Sequence, residues 1–592
     1  MRLPTTAIIG AGISGLTAGK MLTDYGVPYT CFESSDRIGG NWAFGNPNGH
    51  SSAYRSLHID TSKHQLSFRD FPMPDDYPPD FPPHHTQIKA YLDAYAEAFD
   101  LTSSIEFTNG VEHARRLDGG GWELETQHGE QRRFDLLVVA NGHHWDPRFP
   151  NFPGEFDGIE MHAHHYIDPR TPHDFSGKRI LVVGLGGNSA ADIAVELSSK
   201  ALDNKLTLST RSGAWIVPKY FGGKPADKYY KTSPHIPMSW QRKFVQIMQP
   251  VTAGRPEDYG LPTPNHKFFE AHPTQSVELP LRLGSGDVIA KPNVSRLDGS
   301  TVHFDDGSSD DFDIIIYATG YNITFPFFDP DFISAPDNRI DLYKRMFYPG
   351  IDDLVFAGFA QAVPTLFPFV ECQARLIGAY ATGHYRPPSI AEMRDTIAAD
   401  TQFFTGHMVQ SARHTQQLDH YLYEHNMRTK EIPDGRRRAQ AQGGPMTWPG
   451  GRGRDSPGRN HLGGHRMTTP SGAQTVRFPS AGTECDAWFF AGSSSSPFEI
   501  DGKRPRRRDG ARIRGHQGFG SRTVRAAILG GGSRGLRLRL PRFRTLWWAT
   551  ATADLAGAPG RRLPGGDRGR QAATRRRSGS GDPLGGAFRN RA

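Results

Sequence analysis

A glycine-rich turn near the amino terminus constrains the fold more than any other feature. GAGISG, Gly10 to Gly15, follows the apolar strand-like run TTAII and precedes the helix-like run LTAGKMLTDYG. A second strand-like run, PYTCFE, ends at Glu33, 23 residues after Gly10. In such a unit the glycines allow the tight turn and the approach of a pyrophosphate, and the acid accepts from ribose hydroxyls. The pattern predicts a dinucleotide-binding βαβ unit.

A second unit of the same kind starts near residue 178, with the sequence KRILVVGLGGNSAADIAVELS. Gly184 and Gly186 match the first half of the glycine pattern, but the third small residue falls on Ser189. Either Ser189 replaces the third glycine, or Gly187 is one extra residue in the loop. In both cases the order strand, glycine loop and helix predicts a second dinucleotide site.

The strand after the second loop indicates which nicotinamide cofactor is bound. KLTLSTRSG ends with Thr210 and Arg211 at the place where an acidic residue would accept from a ribose hydroxyl. A guanidinium with a neighbouring hydroxyl suits a 2′-phosphate, which favours NADPH over NADH. Two dinucleotide loops in one chain suggest a flavin that receives electrons from a nicotinamide.

The rest of the chain up to about residue 440 is typical of an α/β protein. Short apolar runs (TTAII, FDLLVVA, KRILVVG, DIIIYA, DLVFAG) alternate with helical patterns such as HTQIKAYLDAYAEAF. We predict two Rossmann-like dinucleotide-binding domains. No window of about 18 apolar residues occurs, so no membrane span is expected.

The carboxyl-terminal part has a different composition. Residues 501–592 contain 22 Arg, one Lys and five Asp, a formal charge of +18, so the other residues carry −11. Gly, Pro, Ser and Arg dominate after about residue 440, which predicts a disordered tail. The arginine runs at 504–508 and 574–577 could bind nucleic acid. The abrupt change favours instead a segment translated from a shifted reading frame of GC-rich DNA.

Histidine and cysteine spacing argues against a metal site and a disulfide framework. His162, His164 and His165 are too closely spaced to converge on one ion, and no CxxC or HExxH run accompanies them. The three cysteines are far apart and odd in number, which favours a reducing compartment. The first apolar run has no basic region before it and no cleavage site after it. We therefore expect a cytoplasmic protein without a metal.

The same histidine-rich stretch carries a family pattern. FDGIEMHAHHY fits F-x-G-x-x-x-H-x-x-x-Y through Phe156, Gly158, His162 and Tyr166. Between two glycine loops, this pattern resembles the fingerprint of the flavin-containing monooxygenases. Further matches over about residues 1–440 are GGNW, YRSLHIDTSK, DFPMP, ATGY and FAGFAQ.

The resemblance implies a cofactor pair, a reaction and a set of contacts. NADPH would reduce FAD, and O₂ would give a 4a-hydroperoxyflavin that oxygenates a soft nucleophile, an amine nitrogen or a sulfide sulfur. The implied FAD contacts are Gly10, Gly12, Ser14, Gly15, Glu33, Gly40, Asn41, Trp42 and Thr61. The implied NADPH contacts are Gly184, Gly186, Asn188, Ser189, Thr210 and Arg211.

The resemblance also implies a division into domains. Residues 1–170 and 311–440 would form the FAD-binding domain in two parts. Residues 171–310 would form the inserted NADPH-binding domain, and residues 441–592 the tail.

Two residues are candidates for a catalytic role by the same resemblance. Gln361 falls on the family's glutamine near the flavin. Asp60 stands where the family usually has asparagine. An ionised carboxylate accepts hydrogen bonds but donates none, and its charge would repel a peroxide anion. Asp60 is therefore expected to increase leakage of H₂O₂ unless it is protonated, and Asp60→Asn to improve coupling.

Three other functions stay open. A Baeyer–Villiger monooxygenase acts on ketones with the same flavin chemistry, but its fingerprint ends in Trp where this chain has Tyr166. A flavoprotein that binds FAD and NADPH without oxygenating, as an NADPH oxidase does, is favoured by the irregular second loop and by Asp60. A nucleic-acid-associated protein would act through the arginine-rich tail.

Overall fold

Two five-stranded parallel sheets organise the part of the chain that the structure describes. This computed structural model describes residues 2–74, 77, 83–229, 238–442 and 448, and the backbone of four strands between residues 473 and 527. The first sheet contains, in spatial order, Leu354–Phe356, Leu136–Val139, Thr6–Ile9, Tyr29–Phe32 and Ile105–Glu106. The second contains, in spatial order, Val288–Lys291, Lys205–Ser209, Arg179–Val183, Ile314–Tyr317 and Ile159–His162.

Smaller sheets surround these two. Two antiparallel three-stranded sheets are formed by Val111–Arg116, Trp122–Thr126 and Gln131–Phe134, and by Val294–Asp298, Thr301–Phe304 and Ser309–Asp311. Parallel pairs join Ile216–Val217 to Thr274–Gln275 and Gln361–Val363 to Gln417–Asp419. Antiparallel pairs join Tyr220–Phe221 to Lys224–Pro225 and Asp146–Pro147 to Tyr321–Asn322.

The helices follow the predicted alternation with strands. The α-helices are α1 (Ile13–Asp24), α2 (Lys63–Leu66), α3 (His85–Ala98), α4 (Asn188–Leu197), α5 (Met238–Thr252), α6 (Glu278–Gly284), α7 (Phe367–Ala381), α8 (Ile390–Thr405), α9 (His420–Asn426) and α10 (Ile432–Ala441). A π-helical turn, Met427–Glu431, connects α9 to α10. Short 3₁₀ turns lie at Gly40–Trp42, Thr102–Ser104, Ala163–His165, Lys200–Leu202, Pro256–Tyr259 and Pro336–Asn338.

Alternation of side chains along the central strands explains the apolar runs in the sequence. In the first sheet Ile8 faces a core with α1, α3 and α7, while Ala7 and Ile9 face a second core on the opposite side. In the second sheet Ile180 packs with α4 and α6, and Leu181 packs with a three-stranded sheet. Because both faces are covered, the central strands Thr6–Ile9 and Arg179–Val183 are apolar at every position after the first. The α/β fold with two Rossmann-like units is confirmed.

The second sheet contains two strands from outside the residue range predicted for the NADPH-binding domain. Its strands Ile159–His162 and Ile314–Tyr317 lie outside the range 171–310. The first of these strands carries the fingerprint histidine and pairs in parallel with the second, Tyr317 opposite His162. Parallel strands are joined by crossover connections, so neighbours in a sheet need not be neighbours in sequence. The inserted unit therefore uses strands from both flanking segments, and the ranges themselves remain a prediction.

The tail is described only as backbone strands in a separate unit. Ala473–Ser480, Thr483–Phe490, Gly510–Gly515 and Arg522–Ala527 pair in that order as an antiparallel sheet. Most of the segment predicted to be disordered, 441–592, lies outside the described residues. Of the helices in the described ranges, none has the length and hydropathy that crossing a bilayer requires.

Candidate active site

The first glycine loop has the geometry that its sequence predicts. Gly10 adopts φ +98°, and a Cβ there would lie 2.7 Å from the carbonyl oxygen of Ala140. A Cβ on Gly15 would collide with the carbonyl of Gly10, so glycine lets α1 pack on its strand. Gly12 is the N-cap residue of α1. The loop therefore presents bare backbone at a helix N-terminus, where anions bind.

Glu33 is held against this loop. Its carboxylate accepts hydrogen bonds from the backbone N–H of Ala11 at 2.6 Å and of Ser35 at 2.8 Å. Burial raises the pKa of Glu33 above its ordinary value, although these backbone donors oppose the rise. The second strand thus places a carboxylate next to the loop, as the βαβ pattern predicts.

The predicted contacts in GGNW lie beside the loop. A Cβ added to Gly12 would have Gly40 Cα, at 3.8 Å, as its neighbour. Asn41 Oδ1 accepts hydrogen bonds from the backbone N–H of Ser52 at 2.9 Å and from its hydroxyl at 2.8 Å. Trp42 is half-buried and packs against the core of the first unit. The structure therefore brings this segment to the N-terminus of α1.

Two more predicted residues connect the loop region to the segment around residue 360. Ser14 is buried, and its hydroxyl lies against Gly358. The Thr61 hydroxyl donates to the Pro364 carbonyl at 3.0 Å. Pro364 directly follows the strand that begins at Gln361. Gln361 thus lies on the segment that Thr61 contacts, while Asp60 has other neighbours.

The second loop repeats the geometry of the first. Gly184 adopts φ +112°, and a Cβ there would lie 2.6 Å from the Ala318 carbonyl oxygen. Gly10 has the same relation to its own neighbouring strand. The two glycines therefore occupy equivalent positions, because each loop turns over the end of a parallel strand.

The irregular spacing of the second loop is resolved by an extra residue. Helix α1 begins at the third residue after Gly10, whereas α4 begins at the fourth residue after Gly184. Ala190 is fully buried, but Ser189 is exposed. The small buried residue that packs helix on strand is therefore Ala190, and Gly187 accounts for the added length.

The other residues predicted to contact NADPH follow the carboxyl ends of two inner strands of the second sheet, Arg179–Val183 and Lys205–Ser209. Gly186 is exposed. Thr210 is buried and its N–H donates to the Lys291 carbonyl at 3.1 Å. Arg211 follows directly and is exposed. Arg211 therefore lies just beyond the carboxyl end of the strand Lys205–Ser209, with its side chain exposed to solvent.

Asp60 contacts the second loop directly. The Asn188 side-chain amide donates to Asp60 Oδ2, and its own Oδ1 accepts from the Gln275 N–H at 2.7 Å. The second bond fixes the amide so that its NH₂ faces Asp60. Lys219 Nζ lies 3.0 Å from Asp60 Oδ1. Asp60 is thus an ion-paired carboxylate that also receives an amide hydrogen bond.

Lys219 and Asp192 complete a polar cluster around Asp60 that the sequence did not predict. Burial alone would lower the pKa of Lys219, but Asp60 and Asp192 raise it above its ordinary value. Burial raises the pKa of Asp192 to about 6, although Lys219 and the hydroxyl of Tyr54 lower it. The Tyr54 hydroxyl donates to Asp192. Lys219 therefore interacts favourably with two carboxylates, Asp60 and Asp192.

The whole segment YRSLHIDTSK is held by polar contacts. Its residues contact helix α4 of the second unit, the segment that follows Gln361, and loops elsewhere in the chain. The contacts are Tyr54 with Asp192, Arg55 with Asp168, Ser56 with Glu196, Asp60 with Asn188, Thr61 with Pro364, Ser62 with Asp227 and Lys63 with Pro74. The segment therefore forms the joint between the two dinucleotide units.

The fingerprint residues have packing roles. A Cβ on Gly158 would lie 2.6 Å from both the Asp313 carbonyl and the Phe156 ring. The Tyr166 hydroxyl donates to Glu196 of α4 at 2.9 Å. His162 ends the edge strand of the second sheet and is buried. These contacts fix the edge strand and α4 relative to each other.

His162 and His164 are neutral at pH 7. Burial lowers the pKa of His162 to about 4, and it lowers the pKa of His164 as well. His164 Nε2 is 2.7 Å from the Gly49 carbonyl oxygen, so it is the protonated nitrogen. Within the described ranges, no group of three or more His, Cys, Asp or Glu side chains could hold a metal ion.

The residues present fit FAD and NADPH. Gly12 and Gly40 leave open backbone at the N-terminus of α1, where a side chain would fill the space of a pyrophosphate. Glu33 supplies a carboxylate beside that loop, the group that suits a ribose hydroxyl. Gly184 and Arg211 offer the corresponding loop and a cation for a 2′-phosphate.

Comparison with known proteins agrees with this arrangement. The sequence matches the flavin-binding monooxygenase-like family over residues 4–432. It is 37% identical over 416 residues to dimethylaniline monooxygenase (N-oxide-forming) 2 of Oryctolagus cuniculus, covering 67% of this chain and 75% of that protein. It is 36% identical over 439 residues to flavin-containing monooxygenase 5 of Homo sapiens, covering 70% and 80%.

Solved structures share the fold. S-allyl-L-cysteine S-oxygenase from Allium sativum has a TM-score of 0.54 at 23% identity, over 74% of this chain and 91% of that one. An ε-caprolactone-bound cyclohexanone monooxygenase has a TM-score of 0.56 at 18% identity, over 73% and 98%. The protein is an oxidoreductase whose cofactors are FAD and NADPH. With a family match over residues 4–432 and relatives at 36–37% identity, the chain belongs to the flavin-containing monooxygenases.

Proposed function

We propose that this enzyme transfers one oxygen atom from O₂ to an amine nitrogen or a sulfide sulfur. NADPH supplies two electrons and, with one proton, accounts for the second oxygen atom leaving as water. The observation that carries the proposal is the hydrogen bond from Asn188 to Asp60. It joins the second nucleotide loop to Asp60, whose neighbour Thr61 contacts the segment around residue 360. That segment also lies against Ser14 of the first unit, so both cofactors can meet at one place.

The residues of each loop have separate tasks in this proposal. Reduced FAD, when bound, supplies the activation of O₂. The two glycine loops and Glu33 hold and orient the cofactors. Asp60, Asn188 and Lys219 form a polar network at the joint, in which Lys219 compensates the charge of Asp60. Gln361 is proposed to contribute a side-chain amide near the flavin. It begins the strand Gln361–Val363, and the next residue, Pro364, accepts the hydrogen bond from Thr61.

The test is an electron balance on the purified FAD-loaded protein. NADPH consumption, H₂O₂ release and oxygenated product are measured together, with methyl phenyl sulfide, N,N-dimethylaniline or cyclohexanone as the probe. The names of the relatives motivate the amine probe. We expect the sulfide and the amine to lower H₂O₂ release and to appear as sulfoxide and N-oxide.

Other outcomes select the alternative functions. A lactone from cyclohexanone, without sulfoxide or N-oxide, would assign the Baeyer–Villiger reaction. Full recovery of NADPH electrons as H₂O₂ with every probe would make the protein an oxidase. Retention of FAD without NADPH consumption would contradict the proposed role of the second loop.

Arg211→Gln tests the proposed cofactor preference. Arg211 is exposed at the end of the second strand, where a 2′-phosphate would lie. We expect KM for NADPH to rise about 10- to 100-fold and KM for NADH to stay the same, because only NADPH carries the lost contact. Steady-state rates with both cofactors measure this. Equal loss for NADH would contradict the assignment.

A cytoplasmic location and the role of the tail remain proposals. Cys31 and Cys372, the described cysteines, are free, which suits a reducing compartment. Fractionation of cells that express the tagged chain tests the location. For the tail, a chain ending near residue 443 should keep its flavin; loss of salt-sensitive DNA retention on truncation would support nucleic-acid binding.

A further inference from the structure

A second arginine lies beside the second glycine loop, far from Arg211 in sequence. Arg413 precedes the strand Gln417–Asp419, which pairs with the strand Gln361–Val363. Its guanidinium lies against Gly186, where any Cβ would collide with it. The absence of a side chain at Gly186 therefore allows a cation from another segment to reach the loop.

Arg413 has no carboxylate partner in the part of the chain that the structure describes. Burial lowers its pKa to about 10, and no acid opposes that effect. Burial, together with the charge of Arg413, lowers the pKa of His144 to about 4, of His272 to about 3 and of His414 to about 4. These histidines are therefore neutral, and the guanidinium is the local charge. A half-buried cation without a counterion favours an anionic ligand.

We propose that Arg413 binds the pyrophosphate of the nicotinamide dinucleotide at the second loop. The inference rests on the proposed function, because it deepens the NADPH site. The loop and the N-terminus of α4 offer backbone N–H groups to a phosphate, and the guanidinium adds a charge-assisted pair of donors from the opposite side. The anion thereby connects α4 to the segment that carries the strand after Arg413.

The position of Arg413 distinguishes it from Arg211. In a dinucleotide-binding unit the pyrophosphate lies at the glycine loop, whereas the 2′-phosphate lies at the end of the second strand. Arg413 is at the loop, against Gly186, and Arg211 directly follows the second strand. Arg413 should therefore contribute equally to NADP⁺ and NAD⁺, and Arg211 to NADP⁺ alone.

The experiment titrates FAD-loaded wild-type, Arg413→Gln, Arg413→Lys and Arg211→Gln proteins with NADP⁺ and with NAD⁺ by isothermal calorimetry. We expect Arg413→Gln to raise Kd for both ligands about 10- to 100-fold, the usual cost of losing a charged hydrogen-bond donor. Arg413→Lys should recover part of the loss. The salt dependence of NADP⁺ binding should become weaker in Arg413→Gln. FAD content and thermal unfolding report whether each variant is folded.

Several results would overturn the inference. They are an unchanged Kd for both ligands in a folded Arg413→Gln, a loss confined to NADP⁺, and a loss that Arg413→Lys does not relieve. If Arg413→Gln fails to fold, Arg413→Lys alone decides, since lysine keeps the charge but loses the paired donors and should still raise Kd for both ligands. Wild-type protein that binds FAD but neither dinucleotide would instead refute the proposed function.

Discussion

Gly12→Ala will fold like the wild-type protein and fail to retain FAD. A Cβ at Gly12 meets only ordinary van der Waals contact, with Gly40 Cα at 3.8 Å, and the residue has φ −72°. Alanine therefore fits the protein, but its methyl group stands where the pyrophosphate must approach the backbone. We expect FAD affinity to fall at least about 30-fold, the equivalent of about 2 kcal/mol. Flavin absorbance relative to protein absorbance after gel filtration measures the loss.

Two other glycines provide the matched controls. Gly26→Ala introduces the strain of a positive φ, +71°, in open space, so it should cost stability and keep FAD. Gly10→Ala combines a φ of +98° with a collision against Ala140 and should lose both fold and flavin. If Gly12→Ala keeps a full complement of FAD, the first loop does not bind the pyrophosphate.

Lys219→Gln will increase the fraction of NADPH electrons that is released as H₂O₂. In the wild-type protein the ammonium of Lys219 is 3.0 Å from Asp60 and also stabilises the carboxylate of Asp192. Without it, Asp60 presents an uncompensated negative charge at the joint where the two cofactors are proposed to meet. The side chains are 18% and 29% exposed, so the pair is screened and worth about 1 kcal/mol. We therefore expect about a fivefold rise in leakage.

The double variant separates charge from packing. In Asp60→Asn with Lys219→Gln both charges of the pair are gone, and Asp192 loses the lysine that favours its ionised form, so leakage should return close to the wild-type value. Asp60→Asn alone should change leakage less than Lys219→Gln, because Lys219 already balances Asp60. Lys344→Gln, which removes the ion pair with Asp400 elsewhere in the chain, is the control and should leave leakage unchanged. High leakage that persists in the double variant would contradict the charge explanation.

The local patterns of the sequence predicted the units of the fold. Each apolar run assigned to a strand forms one, from Thr6–Ile9 to Leu354–Phe356. Both glycine loops adopt the expected turn, with positive φ at Gly10 and Gly184. These features depend on neighbours within about 30 residues, which is the length of a βαβ unit. Periodicity and turn chemistry act over that range and are visible in one sequence.

The contacts between units were beyond sequence reasoning. The bond between Asp60 and Asn188 joins residues 128 positions apart, and no periodic pattern marks either partner. Lys219 and Arg413 look like ordinary surface cations in the sequence. Their roles appear only in the folded chain, where Lys219 pairs with Asp60 and Arg413 lies against Gly186. The H₂O₂ leakage expected from Asp60 therefore takes no account of its counterion, Lys219.

Helix α4 also limits where this chain can change length. Asn188, Asp192 and Glu196 recur every fourth residue, so they project from one stripe of the helix, and all three bind the joint segment. An insertion inside the helix would turn part of that stripe by about 100° and detach it. An insertion ahead of Asn188 leaves the stripe intact. Gly187 is such an insertion. The second loop can therefore vary in length without changing which residues of α4 face the joint segment.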